Sequence, residues 1–282
     1  MKYCFNYNRR STVLSQLDEI NVKVDPTELE VLFNYIKEHK HQRINAKIKE
    51  QDHIFDYDLL NKFEDFKLDN ADVNFTIVLP KYDLNLAQIC KQKNLKFFFD
   101  SVIRDWETFN AYVSAGPTDV YLVEQMMFEI KDAAAAAHEK GIAIRTFPNI
   151  AQRRYEETIA LKTFFIRPED VNLYEGLVDV MELYTMDEIN TDIVFQIYKL
   201  DKYWWGPIKE IIIGLDSDID GRYIIPRFGE RRLNCNRKCF KGQKCDICGT
   251  CEEISQKLQK AGILIEYEKM IKDKEKEEEE DG

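Results

Sequence analysis

Five of the seven cysteines in this 282-residue chain lie within eighteen positions, NCNRKCFKGQKCDICGTC, from Asn234 to Cys251. Thiolates this crowded repel one another and oxidise unless a cation neutralises them, so Cys235, Cys239, Cys245, Cys248 and Cys251 read as metal ligands. Two metals fit the spacing. Glycine follows the second thiolate of CDICG as in a zinc knuckle. That pair with Cys235 and Cys239 would make a tetrahedral four-sulfur zinc site, leaving Cys251 spare. The run C-x2-C-x2-C is instead of the iron–sulfur type, with Cys235 or Cys239 as the fourth ligand. Spacing alone leaves the two open. Cys4 and Cys90 sit among apolar neighbours and read as small core residues.

A second group of candidates is polar and lies just after predicted strands. Asp100, Glu124, Arg167 and Glu182 are expected to be catalytic, and Asn149, Gln152, Arg153 and Tyr184 to bind substrate. Carboxylates deep in a cleft have raised pKa values and serve as general acids or bases. Arginines such as Arg153 and Arg167 clamp a carboxylate or phosphate in bidentate fashion, so the expected substrate is a small anionic molecule. Ordinary structural roles compete; Glu169–Asp170 after Pro168, for example, is a natural helix start.

The elements that would position these groups alternate along the chain. Strands are predicted at 2–8, 43–50, 74–80, 95–101, 119–125, 142–149, 163–169 and 178–184. Helix patterns lie between them: PTELEVLFNYIKEHK, DLNLAQICKQKN, DWETFNAYVSAG and EIKDAAAAAHEKG, the last closed by Gly141. Eight strands with helical crossovers imply parallel pairing. The predicted fold is therefore α/β, a (β/α)8 TIM-type barrel over 1–184, with an open doubly wound sheet as the alternative. Active groups in such a barrel sit at the C-terminal ends of the strands, where the polar candidates fall. A helical, aromatic cap with Tyr203, Trp204 and Trp205 is expected over 185–230, the metal module over 231–252, a final helix over 253–271 and an acidic tail over 272–282. DSDIDG at 216–221 begins like a calcium loop, but Arg227 stands where the twelfth-position glutamate is required, so a turn is expected.

The net charge of −11 excludes a protein that coats nucleic acid indiscriminately. One local contrast stands out: 231–244 holds six positive charges (Arg231, Arg232, Arg237, Lys238, Lys241, Lys244) and no acidic residue. That segment is a candidate contact for RNA or a protein partner. MKYCFNYNRR has no apolar signal core and no run is long enough to span a bilayer, so a cytoplasmic, reducing location without membrane contact is expected.

DVYLVEQ, IAIRTFPN and NCNRKC together resemble the collagenase-like peptidase family, barrel proteins that include members of RNA and quinone hydroxylation. The likeness runs over about residues 90–240. Only Cys235 and Cys239 correspond by position to a family cysteine pair, and no nucleophile–base pair supports peptidase activity. The resemblance implies a [4Fe–4S] cluster in preference to Zn2+, and redox or hydroxylation chemistry on a small molecule or an RNA base.

Overall fold

The computed structural model describes residues 1–6, 14–48, 57–103, 105–122, 130–150, 165–184, 191–200, 208–214 and 217–218. Toward the C-terminus it describes 253, 256–257, 260 and 265–266. The chain divides into two compact units, one of 1–147 with 174–183 and one of 148–173 with 184–282.

The first unit is a parallel sheet with helical crossovers. Its strands are β1 (Lys2–Asn6), β2 (Glu19–Val24), β3 (Arg43–Ile48), β4 (Phe75–Leu79), β5 (Phe97–Phe99), β6 (Val102–Ile103), β7 (Asp119–Leu122), β8 (Ala143–Thr146) and β9 (Val180–Leu183). They lie in the order β5-β4-β3-β2-β1-β9-β8-β7-β6, every pairing parallel. The two edge strands, β5 and β6, are separated only by Asp100 and Ser101. The Thr118 N–H, just ahead of β7, donates to the Phe97 oxygen of β5 at 2.8 Å. The sheet is therefore curled until its two ends share one stretch of chain, a TIM-barrel-like arrangement with β5 and β6 as one interrupted strand.

Among the described residues the α-helices of this unit are α1 (Leu29–Glu38), α2 (Tyr57–Asp69), α3 (Leu84–Gln92), α4 (Trp106–Ala115) and α5 (Ile130–Glu139). Their starts follow from local chemistry. Asp83 accepts from the N–H groups of Asn85 and Leu86 at 2.9 and 3.1 Å, and Asp105 from that of Thr108 at 2.7 Å, satisfying donors that the first helical turn leaves open. Helix α4 ends at Gly116, whose φ of +66° is left-handed and costs glycine nothing.

Side-chain parity shows how the sheet is filled. Phe75 of β4 meets Phe63 and Phe66 of α2 at 5.7 and 5.8 Å, and Phe99 of β5 meets Tyr112 of α4 at 5.1 Å. That parity faces the helices. The other parity faces inward: Arg145 of β8 reaches Glu19 of β2, although β9 and β1 lie between them in the sheet. Such a contact must cross the inside of the curl.

Two strand expectations change. EINVKV at 19–24 is a strand that the sequence reading passed over. The segment predicted at 163–169 is not one where it is described: 165–167 has no regular structure, and a 3-10 helix runs from Pro168 to Tyr174. Proline lacks the N–H a ladder needs, and the Ile166 N–H donates instead to the Pro148 oxygen at 2.8 Å.

The second unit holds α6 (Thr191–Lys199) and a 3-10 turn at Ile208–Glu210. Val194, Phe195 and Tyr198 of α6 are buried, as are Ile208, Ile211 and Ile212. Strands β10 (Ser217–Asp218) and β11 (Ile265–Glu266) pair antiparallel. This corrects the single helix expected over 253–271, because 265–266 within it is extended. The segment AGILIEYE, with its β-branched isoleucines after Gly262, favours that break. Among the described residues no helix is long and apolar enough to cross a membrane.

Candidate active site

Polar and charged residues dominate the inside of the curled sheet. Glu19, Asp119 and Glu182 face Arg43, Arg145 and Lys47, three carboxylates against three cations, and all but Arg43 are buried. Two groups of contacts can be distinguished along the strands.

Toward the strand starts, Arg145 donates from Nη1 to Glu19 Oε2 at 2.7 Å and to Asp119 Oδ1 at 3.2 Å. Arg43 donates to both carboxylate oxygens of Asp119 and, at 2.9 Å, to Thr76 Oγ1. The Arg145 guanidinium also lies over the Phe98 ring, 4.8 Å from its centroid. Burial alone would raise the Asp119 carboxyl; the charges of Arg145 and Arg43 and the hydrogen bonds of Arg43 and Thr118 outweigh it and hold Asp119 below the usual carboxylate range. The starting ends of such strands contribute chiefly to stability, and this group has that character.

Toward the strand ends lies a second group, centred on Glu182 of β9. Its Oε1 accepts from Asn21 Nδ2 at 2.7 Å and from Lys47 Nζ at 3.2 Å. Its Oε2 accepts from the Tyr121 hydroxyl and lies 3.7 Å from Arg145 Nη2. A carboxylate has about four lone-pair positions, so these donors nearly saturate Glu182. Lys47 Nζ donates as well to Asp100 Oδ1 at 3.2 Å. Burial alone would lower the lysine; Glu182 and Asp100 outweigh it and raise Lys47 above its ordinary value. Lys47 is thus an ammonium at neutral pH.

Asp100 interrupts the strand between β5 and β6 and is 39% exposed, whereas the Lys47 and Glu182 side chains are 10% and 0% exposed. Val78, Phe98 and Tyr121 form an apolar cluster, with the half-buried Val102 and Phe147 packed on it. Tyr121 and Phe147 stack with centroids 4.6 Å apart. Cys4 Sγ donates to Asn21 Oδ1 at 3.3 Å, and burial followed by the Glu182 charge pushes its thiol far up, so it is no nucleophile.

The structure treats the predicted site residues unequally. Asp100 and Glu182 meet through Lys47. Asn149 and Tyr184 meet in the second unit, where Asn149 spends its amide on backbone. Its Oδ1 accepts from the Tyr184 N–H at 2.9 Å, and its Nδ2 donates to the oxygens of Tyr184 and Ile211, the latter at 3.1 Å. Asn149 is a structural clamp, and its side chain has little left for a substrate. Arg167 is bound to Asp170, Nε to Oδ2 at 2.9 Å. Glu124, Gln152, Arg153 and all five clustered cysteines lie outside the described residues. Among the described residues no group of three or more His, Cys, Asp or Glu is arranged to hold a metal ion.

Lys47, Tyr121, Asn21 and Arg145 are site-forming residues that sequence reading missed. Their signal is present: Arg43-x-Asn45-x-Lys47 and Asp119-x-Tyr121 alternate polar groups with apolar ones inside strands.

No family model matches the chain, and no curated protein matches it. Among solved structures it is similar to a protein described as a glycerophosphoryl diester phosphodiesterase from Silicibacter pomeroyi DSS-3, at 16% identity and TM-score 0.34. That match covers 54% of this chain, which spans only half (50%) of the other's length. It is also similar to a cube-shaped, porous protein cage designed by fusing symmetric oligomeric domains, at 9% identity and TM-score 0.46, over 96% of this chain and 89% of that one. A chain of the tryptophan synthase complex from Pyrococcus furiosus gives 12% identity and TM-score 0.42, over 74% and 97%. None of these likenesses bears on this chain's chemistry.

Proposed function

We propose that this protein is an enzyme that modifies a small molecule or an exposed RNA base, by redox or hydroxylation chemistry, at the strand ends of a (β/α)8 barrel. The observation that carries the reading is the group of Lys47, Glu182, Tyr121 and Asp100. Burying an ion pair commonly costs as much as it returns, and apolar residues of the same volume serve stability as well or better. A buried ammonium and carboxylate leading to one exposed carboxylate at the strand ends is better explained by work on a ligand.

The roles follow from the contacts. Glu182, with its oxygens occupied, is a positioning residue that orients Lys47 and the Tyr121 hydroxyl. Lys47, kept charged, stabilises negative charge developing on a bound molecule and does not act as a nucleophile. Asp100, the accessible carboxylate, accepts a proton or a hydrogen bond. The anionic substrate expected from Arg153 and Arg167 loses the support of Arg167, which Asp170 already neutralises.

The cysteine cluster supports a metal through the chemistry of its donors: five thiolates suit a soft cation. Four of Cys235, Cys239, Cys245, Cys248 and Cys251 would supply the ligands of a [4Fe–4S] cluster, favoured over zinc by the family resemblance. Such a cluster supplies electron transfer when bound. The second reading, a zinc knuckle that docks on RNA or a protein, rests on the six positive charges of 231–244. It predicts RNA affinity falling steeply with salt.

The test is to incubate anaerobically purified protein with RNA and metabolite extracts and follow products by mass spectrometry. A product that forms with the unaltered protein and disappears with Asp100→Asn supports the enzyme. Salt-dependent RNA binding without any product supports the docking module.

A further inference from the structure

The exposed end of the network carries the information about what binds there. Four carboxylates, Glu19, Asp119, Glu182 and Asp100, face three cations, Arg43, Arg145 and Lys47, so the network is −1 by formal count, and Asp100 is its exposed carboxylate. Lys47 is already shared between two carboxylates. Asp100 Oδ1 receives the Lys47 ammonium, while Oδ2 has no hydrogen bond among the described residues and the side chain is 39% exposed. An incoming anion would meet Asp100 first and would have to compete with it for Lys47. A donor would meet an open acceptor. Asp100 is linked to an apolar cluster through Lys47, Glu182 and the Tyr121 hydroxyl: Val102, two residues after Asp100, and Phe147 are the half-buried residues packed on Val78, Phe98 and Tyr121.

Resting on the strand-end site proposed above, we infer that its ligand presents a cationic or N–H-bearing nitrogen to Asp100 and an apolar or aromatic body to Val102 and Phe147. This narrows the substrate to amines and amino-bearing rings and sets aside simple carboxylates and phosphates. A carboxylate accepting from an exocyclic amino group is an established pairing in base recognition, so an amino-bearing nucleobase belongs to the class.

The experiment titrates the full-length protein with benzylammonium, cytidine, benzoate and inorganic phosphate at millimolar concentration, by calorimetry or protein NMR. The inference expects benzylammonium or cytidine to bind. Asp100→Asn should weaken that binding about tenfold or more, as loss of a charge-assisted hydrogen bond does. Phe147→Leu, which keeps apolar volume and protects the fold, should weaken it less. Unchanged urea unfolding of both variants confirms that folding is not the cause. Benzoate or phosphate binding that Asp100→Asn strengthens and Lys47→Met abolishes would overturn the ligand class while leaving the strand-end site standing. If no probe binds, both the ligand class and the site are overturned.

Discussion

Removing the Glu182 carboxylate tests whether the interior network is a coupled unit. Glu182→Leu takes the acceptor away from Lys47, Asn21 and the Tyr121 hydroxyl together, and leaves Arg145 Nη2 without its neighbour. Breaking a buried ion pair from one side costs about 3–5 kcal/mol. Against a total stability of about 5–15 kcal/mol, that is a large share. Lys47→Met is milder, about 1–3 kcal/mol, because Asn21 and Tyr121 still serve Glu182. In the double variant neither charge is left alone. The remaining cost is chiefly the buried Tyr121 hydroxyl, about 1–3 kcal/mol. The double variant should therefore be more stable than Glu182→Leu alone, with a coupling of about 4 kcal/mol from the midpoints of these costs. Urea unfolding followed by far-UV circular dichroism measures all four proteins at neutral pH. Additivity of the two single costs within about 0.5 kcal/mol would refute the reasoning, since independent sites add.

Two further outcomes are expected. The Cys4 thiol is raised far above its unfolded value of about 8.5, so its contribution is fully present below that pH. Above it the unfolded chain gives up the proton while the folded one keeps it. Stability then falls by about 1.4 kcal/mol per pH unit on account of this group. Cys4→Ser should flatten the stability profile between about pH 8.5 and 10 by one proton's slope, and an unchanged profile would contradict the buried thiol. Asn149→Ala removes three hydrogen bonds to the backbone of Tyr184 and Ile211. It should cost about 2–3 kcal/mol and accelerate amide exchange at Tyr184, whereas an effect on ligand binding with exchange unchanged would contradict the clamp.

The alternation of strands and helices was legible because the helix-facing parity is apolar whatever the interior contains. Strand β2 was not, because Glu19, Asn21 and Lys23 alternate with Ile20, Val22 and Val24, and a polar parity in a single sequence reads as a solvent face. In a curled parallel sheet with helices outside, that parity turns inward, at least for Glu19 and Asn21. The same inversion hid Lys47, Tyr121 and Arg145. Asp100 and Glu182 were expected at strand ends, and the structure places them at or near such ends. The interrupted β5–β6 strand also escaped notice, because nothing in FFFDSVI marks Asp100 as a break between two pairing partners. Phe165 and Ile166 misled in the opposite direction: their apolar character satisfies a strand template, but Pro168 and the bond from Ile166 to Pro148 lead the chain elsewhere.

The most direct test of the account is metal analysis with a visible absorption spectrum on protein purified without oxygen. The account predicts a brown protein with about four iron and four sulfide per chain and broad absorption near about 400 nm, as [4Fe–4S] clusters on thiolates give. It also predicts that Cys248→Ser, in the C-x2-C-x2-C run, removes that colour. A colourless protein holding about one zinc per chain, the stoichiometry of a four-thiolate structural site, would contradict the redox enzyme and leave the docking module.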